Sequence, residues 1–183
     1  MNEAFFALPE EKRQAIVNAA LEVFAQNDYK HASTDDIAAK AGISKGLLFY
    51  YFHNKKALYL YLFDYIEQVM LDSLTGGELW QERDFFRFLE LGAAKKAAMQ
   101  QKNPYLADFA VRCFYSQGEE VSRDMAERLT GKMNTAFADY FGNIDFGKFR
   151  EGVDPSYLFR MLSWMTDGYL HERQMAGMPL SVE

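Results

Sequence analysis

Cysteine is nearly absent from the sequence. Cys113 is the only one among 183 residues, so no disulfide can form within the chain. A lone thiol is typical of a protein kept in a reducing compartment. A chain of this length buries roughly 70% of the surface that it exposes when unfolded, so its fold needs no covalent cross-link. We therefore expect a cytoplasmic protein of one or two small domains.

Long apolar runs are also missing. The segment from Ala4 to Leu8 is too short for a signal peptide, and no basic residue precedes it. Each later apolar stretch is interrupted by a charged residue well short of the about 18 residues that a membrane-spanning helix needs. The sequence therefore predicts neither a secretory leader nor a transmembrane helix.

Residues that would indicate an enzyme are scarce. The three histidines, His31, His53 and His171, lie far apart, and no two have the spacing of metal ligands on one helix. Cys113 lies in an apolar helical pattern, which is typical of a buried and inert thiol. The segment 42–46 lacks the spacing and the preceding strand of a phosphate-binding loop. We therefore predict no catalytic site, no metal site and no cofactor.

The chain has only four prolines and no alternating runs of β-branched residues, so strands are hard to place. Apolar residues recur instead at three- and four-residue steps, beginning with a helix from Pro9 to about Asn27. Aromatic residues make up 16% of the chain, and their rings need a large buried volume. The sequence therefore predicts an all-α fold.

The next segment has the pattern of a helix-turn-helix. Ser33 or Thr34 can cap a helix, and Gly42 can end it in the left-handed conformation. Ser44 can then cap a third helix over residues 45–52. Two short helices joined by a tight glycine-containing turn are the signature of this motif.

The net charge of −6 is unevenly distributed. Residues 1–60 contain seven basic and seven acidic residues, whereas residues 61–183 contain 13 and 19. Positions 40–56 include four lysines and no carboxylate. Such a basic patch is more often a solvated face than a phosphate site, so a partner has to be argued from the motif around it.

The third helix has an unusual outward face. Its four-residue spacing assigns Leu48 and Phe52 to the core. The remaining residues are Lys45, Gly46, Leu47, Phe49, Tyr50 and Tyr51. In a helix-turn-helix, the start of the second helix contacts base edges and flanking groups contact phosphates. We therefore predict that this face binds DNA, with the tyrosine hydroxyls donating to phosphates and Lys55 adding a charge-assisted contact.

The segment STDDIAAKAGISKGLLFYYFHNKKAL, which begins at Ser33, resembles the DNA-binding signature of the TetR family of transcription regulators. With the helix before it, the match covers about residues 12–60. The resemblance implies contacts to phosphates or bases by Thr34, Lys45, Gly46, Tyr50, Tyr51 and Lys55. The family usually has tyrosine where this chain has Phe49, which has no hydroxyl and either touches a thymine methyl or packs.

The resemblance also implies a second, helical domain that binds a small-molecule ligand. A fourth helix, capped by Asn54, joins the two parts. Further helices are expected over residues 83–101, 104–115, 119–141 and 155–175. The predicted pocket lining is Phe85, Phe88, Phe109, Arg112, Cys113, Phe114, Met161, Trp164, Met165 and Tyr169. The alternative is that these apolar side chains form a solid core.

The resemblance further implies a two-fold homodimer. Family members usually pair their last two long helices, but here only the 155–175 helix precedes a short tail over residues 177–183. Either the final helix is absent or the sequence is truncated. The helices that form the dimer interface are therefore left open.

These patterns predict a sequence-specific DNA-binding regulator, a repressor that a small apolar or aromatic ligand releases from its operator. Residues 1–56 are expected to form the DNA-binding domain, and residues 57–183 the ligand-binding and dimerisation domain. The alternative is an all-α interaction protein of the same fold that does not bind an operator. The absence of carboxylates between positions 40 and 56 favours DNA binding.

Overall fold

The computed structural model describes residues 2–75, 77–115, 127–128, 131–132, 135, 138–139, 142 and 144–178. Its helices are α1 (Glu3–Phe6), α2 (Glu10–Gln26), α3 (Thr34–Lys40), α4 (Lys45–Phe52), α5 (Lys55–Thr75), α6 (Glu78–Gln81), α7 (Phe85–Lys102), α8 (Leu106–Tyr115) and α9 (Pro155–Met175). The all-α prediction is confirmed. None of the described helices is long and apolar enough to cross a membrane.

A further helix was predicted over residues 119–141. Within that range, positions 127–128, 131–132, 135 and 138–139 are helical. The rest of the range lies outside the described residues.

The backbone divides into two compact units. The first comprises residues 1–68 and 103–123, and the second comprises residues 69–102 and 124–183. Helix α8 belongs to the first unit because it packs against α2. The functional boundary expected between residues 56 and 57 stays a prediction.

The helix-turn-helix forms through the local hydrogen bonds that the sequence predicts. Ser33, rather than Thr34, caps α3, because its Oγ accepts a hydrogen bond from the backbone three residues later at 3.2 Å. Ser44 caps α4 in the same way at 3.1 Å. Between them Gly42 has φ +67°, a left-handed conformation that costs glycine little. The two caps and this glycine fix the turn between the helices.

The core of the first unit surrounds α2. The residues that its periodicity assigns to the core are all buried: Ile16, Ala19, Ala20, Val23 and Phe24. The Phe24 ring lies 4.9 Å from Tyr59 of α5 and 6.2 Å from Phe109 of α8, between ring centroids. Edge-to-face aromatic packing of this kind adds to the stabilisation from burial. Some of the many aromatic rings of the chain therefore pack between α2, α5 and α8 and hold these helices together.

Helix α1 was not predicted, and it covers the end of α4. The backbone N–H of Asn2 donates to the carbonyl of Tyr51 at 2.9 Å, and its side-chain amide donates to that of Tyr50 at 3.3 Å. Carbonyls at the end of a helix lack helical partners, so these bonds satisfy groups that would otherwise need water. The Phe5 ring is fully buried, 4.7 Å from that of Phe52.

The second unit has its own core. Leu79, Phe85, Phe88 and Ile144 are buried there. One face of α9 packs against them through Leu158, Phe159 and Leu162. Aromatic and aliphatic side chains from α6, α7 and α9 therefore fill the interior of this unit.

Candidate DNA-binding and effector sites

The start of α4 is open to solvent. Lys45, Gly46 and Tyr50 are exposed, whereas Leu47 and Phe49 are half-buried. A Cβ added to Gly46 would meet only the Oγ of Ser44, at 3.9 Å, so the fold does not require glycine there. The missing side chain leaves the backbone of α4 accessible, which suits close approach to a base pair.

Two further predictions concern the packing of α3 and α4. Leu48 and Phe52 are both 1% exposed, as their spacing predicts. Thr34 is the first residue of α3 and is half-buried. Its predicted contact with a phosphate stays a prediction.

Tyr51 was predicted to share the outward face of α4, and this placement is wrong. Its side chain is only 6% exposed, and its ring lies 5.8 Å from those of both Phe5 and Tyr50. Helix α1 covers this position, which the periodicity of α4 alone does not reveal. A substitution of Tyr51 would therefore disturb the packing behind α4 as well as any DNA contact.

Two lysines of the carboxylate-free window are paired with acids from outside it. Lys45 Nζ lies 2.8 Å from Asp35 Oδ2, and Lys40 Nζ lies 2.7 Å from Glu22 Oε1. The hydrogen bond that Lys40 donates to the Glu22 carboxylate raises the pKa of Lys40, so Lys40 stays protonated at neutral pH. The fold therefore partly neutralises the basic patch with carboxylates from α2 and α3.

Lys55 is the first residue of α5, and two neighbours hold its side chain. Its Nζ donates to the carbonyl of Lys30 at 3.2 Å and lies 5.0 Å from the ring centroid of Tyr29. A cation above an aromatic face is attracted by the ring. The ammonium is thus kept beside the N-terminus of α5, which is itself favourable for an anion.

The junction between α4 and α5 is strained. His53 has φ +64°, which non-glycine residues rarely adopt. The backbone N–H of Asn54 donates to the carbonyl of Phe52 at 2.7 Å, which closes a three-residue turn. Such strain persists only where surrounding contacts impose it. No sequence pattern indicated this turn, which sets the direction of α5 relative to α4.

The predicted pocket residues of α8 belong to a packed core. Phe109 and Cys113 are 0% and 3% exposed, and the Cys113 sulfur lies 3.3 Å from the hydroxyl of Tyr59. Arg112 Nε donates to the carbonyl of Ala25 near the end of α2. These side chains attach α8 to α2 and α5 within the first unit, and their predicted contact with a ligand stays a prediction.

The other predicted lining residues lie in different surroundings. Phe85 and Phe88 lie in the core of the second unit, as the alternative of a solid core predicts. The side chain of Phe114 lies outside the described residues. The predicted ligand contacts of Phe85, Phe88 and Phe114 stay predictions.

Four predicted pocket residues lie instead on an exposed face of α9: Met161, Trp164, Met165 and Tyr169. Tyr157 extends this face by one turn, and Trp164 is 63% exposed. The spacing of four and three residues from Tyr157 to Trp164 places them along one side of the helix. Leu158 and Leu162 of the same helix are partly buried and pack against the core of the second unit. We call the five exposed residues the α9 stripe.

The second unit has a groove of about 650 Å³ that no sequence pattern predicted. Its lining is Leu71, Trp80, Glu127, Arg128, Gly131, Lys132, Thr135 and Asp139. Two large apolar side chains thus share one groove with two cations and two acids. Such a combination suits a ligand that has both an apolar and a charged part.

Comparison with known proteins agrees with the helix-turn-helix. Residues 16–62 match the family model of bacterial regulatory proteins of the tetR family. The HTH-type transcriptional regulator RutR of Escherichia coli K12 is 30% identical over 164 residues, which cover 86% of this chain and 73% of RutR.

Solved structures are similar over most of the chain. A TetR family transcriptional regulator from Chloroflexus aurantiacus J-10-FL has 26% identity and a TM-score of 0.52, covering 96% of this chain and 94% of that one. The transcriptional regulator FadR from Bacillus subtilis, solved in complex with stearoyl-CoA, shares the fold with 23% identity and a TM-score of 0.57. That alignment covers 89% of this chain and 87% of FadR.

Proposed function

The chain belongs to the TetR family of bacterial regulatory proteins and is a helix-turn-helix DNA-binding transcription regulator rather than an enzyme, and we propose that it is a repressor. A small molecule releases it from its operator. The observation that best supports the position of the DNA site is the open start of α4. Lys45 and Tyr50 flank the exposed backbone at Gly46 there. These groups are suited to read base edges in the major groove.

We propose a homodimer that presents two α4 helices about one DNA turn apart, roughly 34–36 Å, and so binds a pseudo-palindrome. The α9 stripe supports this arrangement, because a contiguous apolar helix face is a typical interface between subunits. The test is a gel shift with DNA from upstream of the gene that encodes the protein. A regulator that represses its own gene should give a discrete complex with this DNA, and the effector should dissociate that complex.

Lys55→Ala is expected to weaken binding to operator and non-operator DNA alike, since Lys55 is proposed to contact a phosphate. Each lost phosphate contact should flatten the slope of log affinity against log salt by about 0.9, so the loss of affinity should grow roughly threefold as salt falls from about 200 to about 50 mM. Fluorescence anisotropy at several salt concentrations measures both quantities. The matched control is Lys56→Ala, because Lys56 is its exposed neighbour. Equal salt slopes for the two variants would show that Lys55 does not contact a phosphate.

We further propose that the effector has an apolar body and an anionic group. The groove of the second unit supports this class, because Leu71 and Trp80 can contact the apolar part and Arg128 and Lys132 the anion. FadR, which shares the fold, was solved with stearoyl-CoA, a molecule of that description. Acyl-CoA is therefore the first probe to test.

Trp80 can report on this groove. The chain has two tryptophans, so Trp164→Phe leaves Trp80 as the sole indole. Titration with stearoyl-CoA should change the Trp80 fluorescence of this variant saturably and release operator DNA from the wild-type protein, whereas coenzyme A alone should do neither at the same concentration. Arg128→Ala combined with Lys132→Ala should weaken binding by about tenfold or more, since hydrogen bonds to charged groups contribute about 1.5–3 kcal/mol. An unchanged Trp80 signal would exclude acyl-CoA as the ligand of this groove.

A further inference from the structure

The lysine at the start of α4 has an acidic partner on the preceding helix. Lys45 Nζ lies 2.8 Å from Asp35 Oδ2, and the two side chains are 49% and 67% exposed. Asp35 lies in the first turn of α3, and Lys45 is the first residue of α4. The ion pair therefore spans the turn of the helix-turn-helix, on the part of the molecule proposed to contact DNA.

An exposed ion pair of this kind contributes little to folding stability. Its effect on DNA binding is larger, because phosphates attract lysines through their charge. A lysine that remains paired with a carboxylate adds no net charge to the surface, and it releases less counterion from DNA than an unpaired lysine does. The carboxylate also repels phosphates directly.

The same contact fixes where the ammonium lies. A lysine side chain has a flexible stem of four carbons. Without a partner, its ammonium could reach phosphates over a wide range of positions. The hydrogen bond to Asp35 keeps the Lys45 ammonium beside the N-terminus of α4. In a helix-turn-helix this is the part of the recognition helix that faces base edges.

We propose that Asp35 determines the specificity of the DNA-binding site by positioning Lys45 for base edges and weakening its attraction to phosphates. The consequence is weaker binding to DNA that lacks the operator sequence, and so a larger ratio of specific to non-specific affinity. Asp35 acts through Lys45 and is a positioning residue. The inference rests on the proposed DNA site at the start of α4.

Asp36 provides a matched control for Asp35. It is the next residue, lies in the same first turn of α3 and is exposed. Asp36→Asn therefore removes the same charge from the same first turn of α3, one residue further along the helix. Any general gain in DNA affinity from losing one negative charge should be equal in Asp35→Asn and Asp36→Asn. The difference between them isolates the effect of the contact with Lys45.

The experiment measures the affinity of each variant for two labelled duplexes at several salt concentrations. One duplex is selected by the wild-type protein from a random-sequence pool, and the other is its scrambled counterpart. Relative to Asp36→Asn, Asp35→Asn should bind the scrambled duplex more tightly, and this advantage should grow by up to about threefold for each bound subunit as salt falls from about 200 to about 50 mM. Its salt slope should be steeper by up to about 0.9 for each Lys45. The selected duplex should gain less, so the specificity ratio falls.

Two further variants test the route through Lys45. In a Lys45→Ala background, Asp35→Asn should have no more effect than Asp36→Asn. Asp35→Glu, which retains the charge, should keep the wild-type ratio and slope. Thermal unfolding should change only slightly, and to a similar extent in Asp35→Asn and Asp36→Asn, since both residues are exposed and lie in the first turn of α3.

Three results would overturn the proposal. One is an Asp35→Asn variant that matches Asp36→Asn in both slope and ratio. Another is an effect of Asp35→Asn that persists without Lys45. The third is an Asp35→Asn variant that changes the preference at one base pair both with Lys45 and with alanine at position 45. That result would show that Asp35 contacts a base itself. A wild-type protein that selects no sequence from the pool would instead refute the proposed DNA site.

Discussion

Phe5→Ala is expected to lower the free energy of unfolding by about 3–5 kcal/mol, the usual cost of removing a fully buried phenylalanine ring. The ring lies between Tyr51, Phe52 and Tyr61, with centroid distances of 5.8, 4.7 and 5.3 Å. Proteins of this size are stable by only about 5–15 kcal/mol, so the loss is a large fraction of the total. Chemical denaturation followed by circular dichroism measures it.

The neighbouring Phe6 offers a close control. It is 50% exposed, so Phe6→Ala should cost much less than Phe5→Ala. The two variants remove the same atoms from adjacent positions of α1. Because α1 supports the end of α4, Phe5→Ala should also weaken operator binding at temperatures where the protein is still folded. Equal stabilities for the two variants would show that α1 does not hold α4 in solution.

Trp164→Glu is expected to convert the proposed dimer into a monomer. A central tryptophan of an interface typically contributes 2 kcal/mol or more, and a two-fold axis brings two copies into the interface. The combined loss of about 4 kcal/mol corresponds to a roughly thousandfold weaker dimer. Light scattering or sedimentation at micromolar concentration measures the change, and operator affinity should fall with it.

Ser163→Glu is the control for this change. Ser163 precedes Trp164 on α9 and is exposed, but its helical position is well away from the stripe. The same charge is therefore added outside the proposed interface, and the dimer should persist. Because Trp164 is 63% exposed within one chain, its replacement should leave the fold of the subunit intact. A dimeric Trp164→Glu protein would exclude the stripe as the interface.

Predictions were most accurate where a feature depends on residues close in sequence. The caps at Ser33 and Ser44 and the left-handed Gly42 each involve hydrogen bonds or dihedral angles within a few residues. The burial of Leu48 and Phe52 follows from helical periodicity. These features define the helix-turn-helix, and its family signature could therefore be recognised from the sequence.

Predictions failed where a distant segment decides the environment of a residue. Tyr51 has the spacing of an outward residue of α4, but α1 buries it. The spacing of Cys113 and Phe109 likewise did not show that the segments they contact are α2 and α5, whereas their predicted contact with a ligand stays a prediction. Apolar periodicity shows that one face of a helix is buried, yet it does not identify the element that covers it.

The sequence by itself therefore determined the all-α fold, the position of the helix-turn-helix and the family, because local hydrogen bonds, caps and periodicity depend on neighbouring residues. Tertiary structure alone decided which tyrosine of α4 faces solvent, which acid holds Lys45 and which apolar residues of α9 remain exposed. These outcomes depend on contacts between residues far apart in the chain, such as Asn2 with Tyr51. Such contacts form only when the helices pack, and no local pattern encodes them.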